Sequence, residues 1–599
     1  MQRRTRQLLA GGAALAIALS LPAIAQDRPE SILPPGFGDP TPATPAPTPT
    51  PTPSPAAPTP ITGPSEGAGV EVVDTLSPAE ALEVAEPVPQ VEFPAFSRRD
   101  PGLAGTLDPV ALRLGALPWG QASGQSLGIL MRRMDTPLAS RWAHIALRNA
   151  LLAQAPAPFG VNPIDWAAER TWLLLRMGEA DAARLLVAAV DSDRYTGNMS
   201  QVALQSALAS SDPSAMCPLE TSLSKVEPRV APLVTAICAS LSGEAERAAA
   251  DIEATRRRGR LGGIDLTLAD KVVGAGAATA RAVTIEWEPV DRLNAWRYGL
   301  STATAMMPPE RLMTSASLQT QAWFARAPMF SATQRLPAAR IAAALGVFSS
   351  EALIDLYAAH YDATDPDALG QSDGWQLRLA FIGKDQDARL AAMRRLWGKA
   401  KSPFDRVAAN VLLARPARRI VPSADLEADA PELVAALLAG GFDREAGRWA
   451  RVVGEFDDPA NDKVWAMLAL GAPDVADLGI SASRIEDFAD NDVSKGKQRT
   501  ALLVAGLAGL GRIDSRTAGR LSATYKLGLG AQTSWTRLID GAMQRRQAGT
   551  ATVLAASGLQ GRQFDEVGAL YLFHSVNAMR GTGQDYLARM IAAEALART

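Results

Sequence analysis

At 599 residues the chain is several times the length of a typical domain, which excludes one compact core and points to several domains or a repeat array. Hydrophobic residues make up 47% and charged residues 21%, near globular averages, yet 18 of the 42 prolines fall within residues 26–100, a stretch that cannot share a packed core. Three His and two Cys leave little material for metal or thiol chemistry, and 60 basic against 63 acidic residues disfavour a nucleic-acid partner.

In chain order, residues 1–25 come first. Arg3, Arg4 and Arg6 precede an apolar run from Leu8 to Leu21, and Ala23-Ile24-Ala25 stands before Gln26, the order of a secretory signal peptide cleaved after Ala25. The run of 14 residues is short of the roughly 20 that span a bilayer, so no transmembrane segment is expected after cleavage. No Cys follows the cleavage point, which argues against a lipoprotein, and the Arg pair is a poor twin-arginine signal. The expected location is periplasmic or secreted. Without the leader, 57 basic residues face 63 acidic ones, so the mature charge is about minus 6.

Residues 26–100 are expected to be a disordered Pro/Thr-rich linker, because Pro fixes φ and removes donors. The run from Pro40 to Pro53, in which Pro recurs every second or third residue, reads as a solvated polyproline-II spacer. From residue 101 apolar residues recur at helical spacing in segments of 10 to 20 residues, Ala is abundant and strand signals are few. At Asn162-Pro163 a favoured cap meets a favoured first helical residue, and Ile164, Ala168, Trp172 and Leu175 follow on one face until Gly178. The next helix carries Ala182, Leu185, Leu186 and Ala189 as its stripe. The same start signal stands at Thr136-Pro137, Asp365-Pro366, Ser402-Pro403 and Asp458-Pro459. The Gly-rich stretch 259–276 divides a helical-hairpin domain (101–260) from a helical solenoid domain (261–599). Cys217 and Cys238, 21 residues apart, predict one structural disulfide in the first of these, because an exported chain meets an oxidising compartment. Arg256-Arg257-Arg258 and Arg394-Arg395 read as solvated helix ends.

Four joints share a form, with Gly178, Gly243, Gly383 and Gly441 each followed five residues later by Ala183, Ala248, Ala388 and Ala446. Gly closes one helix in a left-handed conformation, acidic residues favour the next start, and Ala allows close approach. These hairpins resemble the helix-turn-helix unit of tetratricopeptide-type repeats. The resemblance implies an all-α fold, and joint spacings of 65, 140 and 58 residues make it an irregular α-solenoid or superhelix. Further joints are expected at Gly346, Gly511 and Gly561.

The motifs that carry chemistry are weak. Gly124-Gln125-Ser126-Leu127-Gly128 and Gly370-Gln371-Ser372-Asp373-Gly374 match a nucleophile elbow without the strand it requires. Ser222-Leu223-Ser224-Lys225 lacks its companion motifs. His144, His360 and His574 have no metal-ligand spacing and are expected in the core or a groove. Glu286-Trp287-Glu288 pairs two acids only if it lies on a strand. Trp142, Trp166, Trp172, Trp296, Trp323, Trp397, Trp449 and Trp465 fall in helical stripes, which assigns most to hairpin cores and leaves a few for stacking on sugars or peptides. Walker A, dinucleotide and calcium-loop motifs are absent, so no cofactor, metal or catalytic residue is assigned. The expected function is a non-catalytic envelope scaffold binding a protein or peptidoglycan, and no nucleic acid. The alternative is an enzyme acting on peptidoglycan. In helix-rich architecture alone the chain is similar to soluble lytic transglycosylases, a family whose catalytic Glu precedes a Gly-rich segment that Glu566 and Glu594 lack here.

Overall fold

A computed structural model describes residues 94–259, 262–278, 284–457 and 462–599. The expected leader, the linker up to residue 93 and the Asp458-Pro459 start lie outside them. Among the described residues the chain is all-α, with twenty-eight α-helices, no strand and three isolated bridges.

Local chemistry accounts for the helix starts. Asn162 Oδ1 accepts from Ile164 N at 2.8 Å ahead of the Pro163–Arg176 helix. Ser402 Oγ accepts from Asp405 N at 3.1 Å ahead of Pro403–Ala417, and Asp365 heads the single turn Pro366–Leu369. Thr136-Pro137 differs, because the helix there is Arg141–Leu152, capped by Ser140 Oγ on Ala143 N at 3.1 Å. The reason is tertiary: Thr136 Oγ1 donates to Arg176 O at 2.8 Å and Leu138 bridges Gln560, which holds the segment extended. Arg256, Arg257 and Arg258 occupy the last turn of Ala245–Arg258, where cations suit the helix dipole.

Three of the four joints have one hydrogen-bond pattern. Gly178, Gly243 and Gly441 adopt φ of +86°, +88° and +82°. Each donates to the carbonyl three residues back, and the following residue donates five back, as in Glu179 N to Leu174 O at 2.9 Å and Phe442 N to Leu437 O at 2.8 Å. Ala183, Ala248 and Ala446 are fully buried between the paired helices. Gly383 departs on both counts, with φ of −50° and Ala388 only half-buried. Of the other expected joints, Gly346, Gly511 and Gly561 all take positive φ.

Packing rearranges the expected stripes. In Pro163–Arg176, Ala168 and Leu175 are buried but Ile164 and Trp172 are half-buried, while Trp166, Leu173 and Leu174 are fully enclosed. Helices Gly124–Arg133, Arg141–Leu152, Ala180–Val187 and Gly197–Ala209 surround it, so more than one face is covered. In Ala180–Val187, Ala182 and Leu186 are buried, but Leu185 is 52% exposed.

Contacts also join distant parts of the chain. The Arg141–Leu152 helix packs on Ala332–Leu345, Ala548–Gly558 and Asp585–Ala597. Asp585–Ala597 packs in turn on Ala430–Ala439, Asp462–Gly471 and Gln498–Gly509. One hydrophobic cluster runs from Ala104 to Leu596. Cys217 and Cys238 form the expected disulfide, with Cα atoms 5.5 Å apart, joining the 3-10 turn Pro213–Leu219 to Ala231–Leu241. No described helix is long and apolar enough to cross a membrane.

Candidate functional site

The sequence motifs resolve into structural roles. Ser126 lies exposed in the first turn of Gly124–Arg133, and Ser372 is the cap of Asp373–Ile382, its Oγ accepting from Trp375 N at 3.1 Å. Ser222 Oγ donates to Leu219 O at 2.9 Å while Lys225 is exposed. His144 Nε2 lies 3.0 Å from Glu179 Oε1 in the core, His574 Nδ1 lies 2.8 Å from Asp540 Oδ1, and His360 Nδ1 lies 2.9 Å from Thr333 Oγ1. Glu286 and Glu288 are exposed on an irregular segment, so they share no strand face. Seven of the eight singled-out Trp residues are buried, Trp172 being the half-buried one. Glu220 sits near the sulfurs of Cys217 and Cys238, which are bonded to each other and so are not free ligands.

The most concentrated polar constellation joins the first and last parts of the described chain. Glu594, on Asp585–Ala597, accepts from Ser140 Oγ at 2.6 Å, Arg141 N at 2.9 Å and Trp142 N at 3.1 Å. It thereby places a carboxylate on the first amides of a helix 450 residues away in sequence, where orphan donors and the dipole favour an anion. Arg598 completes the carboxylate's partners at 3.0 Å. Arg141, buried on the same turn, donates to Ala343 O at 3.0 Å and Ala439 O at 3.0 Å in the last turns of two further helices, and to Phe348 O at 3.1 Å in the loop after the first of them. Burial lowers its pKa to about 10, an effect that Glu594 opposes and Arg148 reinforces.

Beside this contact lies a cavity of about 140 Å³. Pro403, Arg406, Val407 and Asn410 line it from one face of Pro403–Ala417, at the spacing of successive helical turns. Leu438 and Met590 form an opposite apolar wall, and Lys463 reaches in from Asp462–Gly471. A second, open feature is a groove of about 490 Å³ lined by Leu103, Leu185, Ala188 and Ala189 together with the polar residues Arg99, Asp100, Thr106 and Gln154. Sequence reasoning passed over Arg141, Asn410, Lys463 and Arg598, since five separate helices supply the cavity. A lone acid inside the apolar run Met590-Ile591-Ala592-Ala593-Glu594-Ala595-Leu596 was the one local signal of a buried partner. Comparison with protein-family models, curated proteins and solved structures found no match to this chain.

Proposed function

We propose that the chain is an exported, non-catalytic helical scaffold of irregularly stacked hairpins that binds a protein partner in the cell envelope. The observation that carries the reading is the groove beside Leu185. Helical periodicity assigns Leu185 to the core, yet it stands 52% exposed beside Leu103 at 40%. An element that contradicts its own pattern is where binding is expected, and two exposed leucines beside Ala188 and Ala189 suit an apolar side chain of a protein. A glycan would call for aromatic platforms, and seven of the eight Trp residues considered are inside. The disulfide supports an oxidising compartment. Of the two acids named for the enzymatic alternative, Glu594 has four protein donors on its carboxylate, and Glu566 is exposed with Arg562 N donating to its Oε2 at 2.8 Å.

The test is to incubate the full chain with envelope extract and with isolated peptidoglycan sacculi, crosslink, and identify adducts by mass spectrometry. The expected result is a defined protein crosslinked at the groove, lost in Leu185→Glu, with no soluble muropeptides released. Muropeptide release, or co-sedimentation with sacculi that Leu185→Glu leaves unchanged, would overturn the reading.

A further inference from the structure

The polar groups around the 140 Å³ cavity are unevenly satisfied. Glu594, the one carboxylate side chain on its wall, is saturated by four donors, and Arg141 and Arg598 turn their N–H groups to backbone carbonyls and to Glu594. Donors on the opposite wall remain. Asn410 is 6% exposed; its Oδ1 accepts from Trp397 Nε1 at 2.8 Å, and among the described residues its Nδ2 has no acceptor. Lys463 Nζ gives one hydrogen to Ala597 O at 3.0 Å, which leaves two. Arg406 stands at the exposed mouth, one nitrogen 2.7 Å from Glu432.

Charge points the same way as the unused donors. Four cationic side chains line the cavity against one carboxylate side chain. Burial, with Arg499 and Arg406 adding like charge and Glu432 opposing them, draws the Lys463 pKa down to about 8, and a bound anion would add to the negative charge that Glu432 supplies. Trp142, Val407, Leu438 and Met590 give the wall its apolar part, and Gln563 and Thr599 add polar groups to it. Its volume is close to the ~150 Å³ of an apolar cavity that takes benzene.

We infer that this cavity binds a small organic anion, a carboxylate or phosphate monoester bearing a group of about phenyl size, with Lys463 and Asn410 holding the head and Leu438 and Met590 enclosing the apolar part. Because the walls come from both ends of the described chain, the bound anion stabilises their union by mass action.

The test titrates the full chain with benzoate, phenyl phosphate and the neutral benzyl alcohol, by calorimetry and by thermal unfolding. The anions are expected to bind and raise the unfolding midpoint, and benzyl alcohol is not. The better of the two anions identifies the head group. Losing a charged hydrogen bond in Lys463→Met should weaken binding about tenfold or more, and Asn410→Leu should weaken it as well. A second measurement needs no variant: acylation of Lys463 in the native protein, read by mass spectrometry, should fall in the presence of either anion and be unmoved by benzyl alcohol. Benzyl alcohol binding as well as the anions, no anion binding, or Lys463 acylation indifferent to both anions would each overturn the assignment.

Discussion

Buried and half-buried arginines act here as caps for helices other than their own. Arg170 donates to Leu151 O at 3.0 Å, Ala153 O at 3.2 Å and Ala104 O at 2.7 Å, closing the C-terminal end of Arg141–Leu152. Arg176 does the same for Gly124–Arg133 through Met131 O and Arg132 O, and Arg512 for Asp462–Gly471 through Ala469 O and Ala472 O. The last carbonyls of a helix have no partner within it and carry the negative end of its dipole, and only the planar guanidinium offers several donors in one fork. Arg170→Met should therefore cost about 2–4 kcal/mol, since buried carbonyls left without donors lose about 1–3 kcal/mol each and the buried cation's desolvation is relieved in part; urea unfolding measures it. Glu227 makes a different prediction. It is 3% exposed, and burial raises its pKa from 4.5 to about 7 against the bond from Gln201. The folded chain holds a proton there that the unfolded chain has released, so stability falls as pH rises from about 4.5 through 7. Unfolding midpoints measured across that window should decline in the wild type and flatten in Glu227→Gln.

At the scale of elements, the recurring unit is the left-handed joint that closes a helix, and its geometry outruns its composition. The bond pattern of Gly178, Gly243 and Gly441 reappears at Ser211, Ala305, Lys526 and Arg546, with φ of 57°, 57°, 56° and 54°. Ala305 N bonds Thr302 O at 3.3 Å and Met306 N bonds Ser301 O at 2.9 Å, the same two rungs. A left-handed residue with a Cβ is strained by roughly 1–2 kcal/mol, which glycine avoids at some cost in unfolded-state entropy. Ala305→Gly should then stabilise the chain by about 0.5–1 kcal/mol, read as a shift of the denaturation midpoint; an unchanged or lower midpoint would count against strain at that joint. These joints were illegible in advance, since nothing in Ala305 or Lys526 announces a positive φ. The packing of the flanking helices imposes it.

For the whole molecule, the decisive feature is that the Asp585–Ala597 helix reaches back to the start of Arg141–Leu152. Glu594→Ala leaves Ser140, two helix amides and Arg598 without their anion, and breaking one partner of such a buried set costs about 3–5 kcal/mol. If this contact couples the ends, the wild type is expected to unfold in one calorimetric transition that Glu594→Ala splits or broadens, whereas Glu594→Gln, which keeps an acceptor, should lower the midpoint with the transition intact. Much was legible from local chemistry alone: the all-α class, the Asn162 and Ser402 starts, three left-handed glycine joints with buried alanines, the disulfide and the burial of most Trp residues. Each depends on residues a few positions apart, or on hydrophobicity, so periodicity and capping rules reach them. The displaced start at Ser140, the exposure of Leu185 and the cavity between Asn410, Lys463 and Glu594 were decided by tertiary structure. Each depends on which of several apolar faces finds a neighbour and on pairs hundreds of residues apart, and no local pattern in the chain encodes that choice.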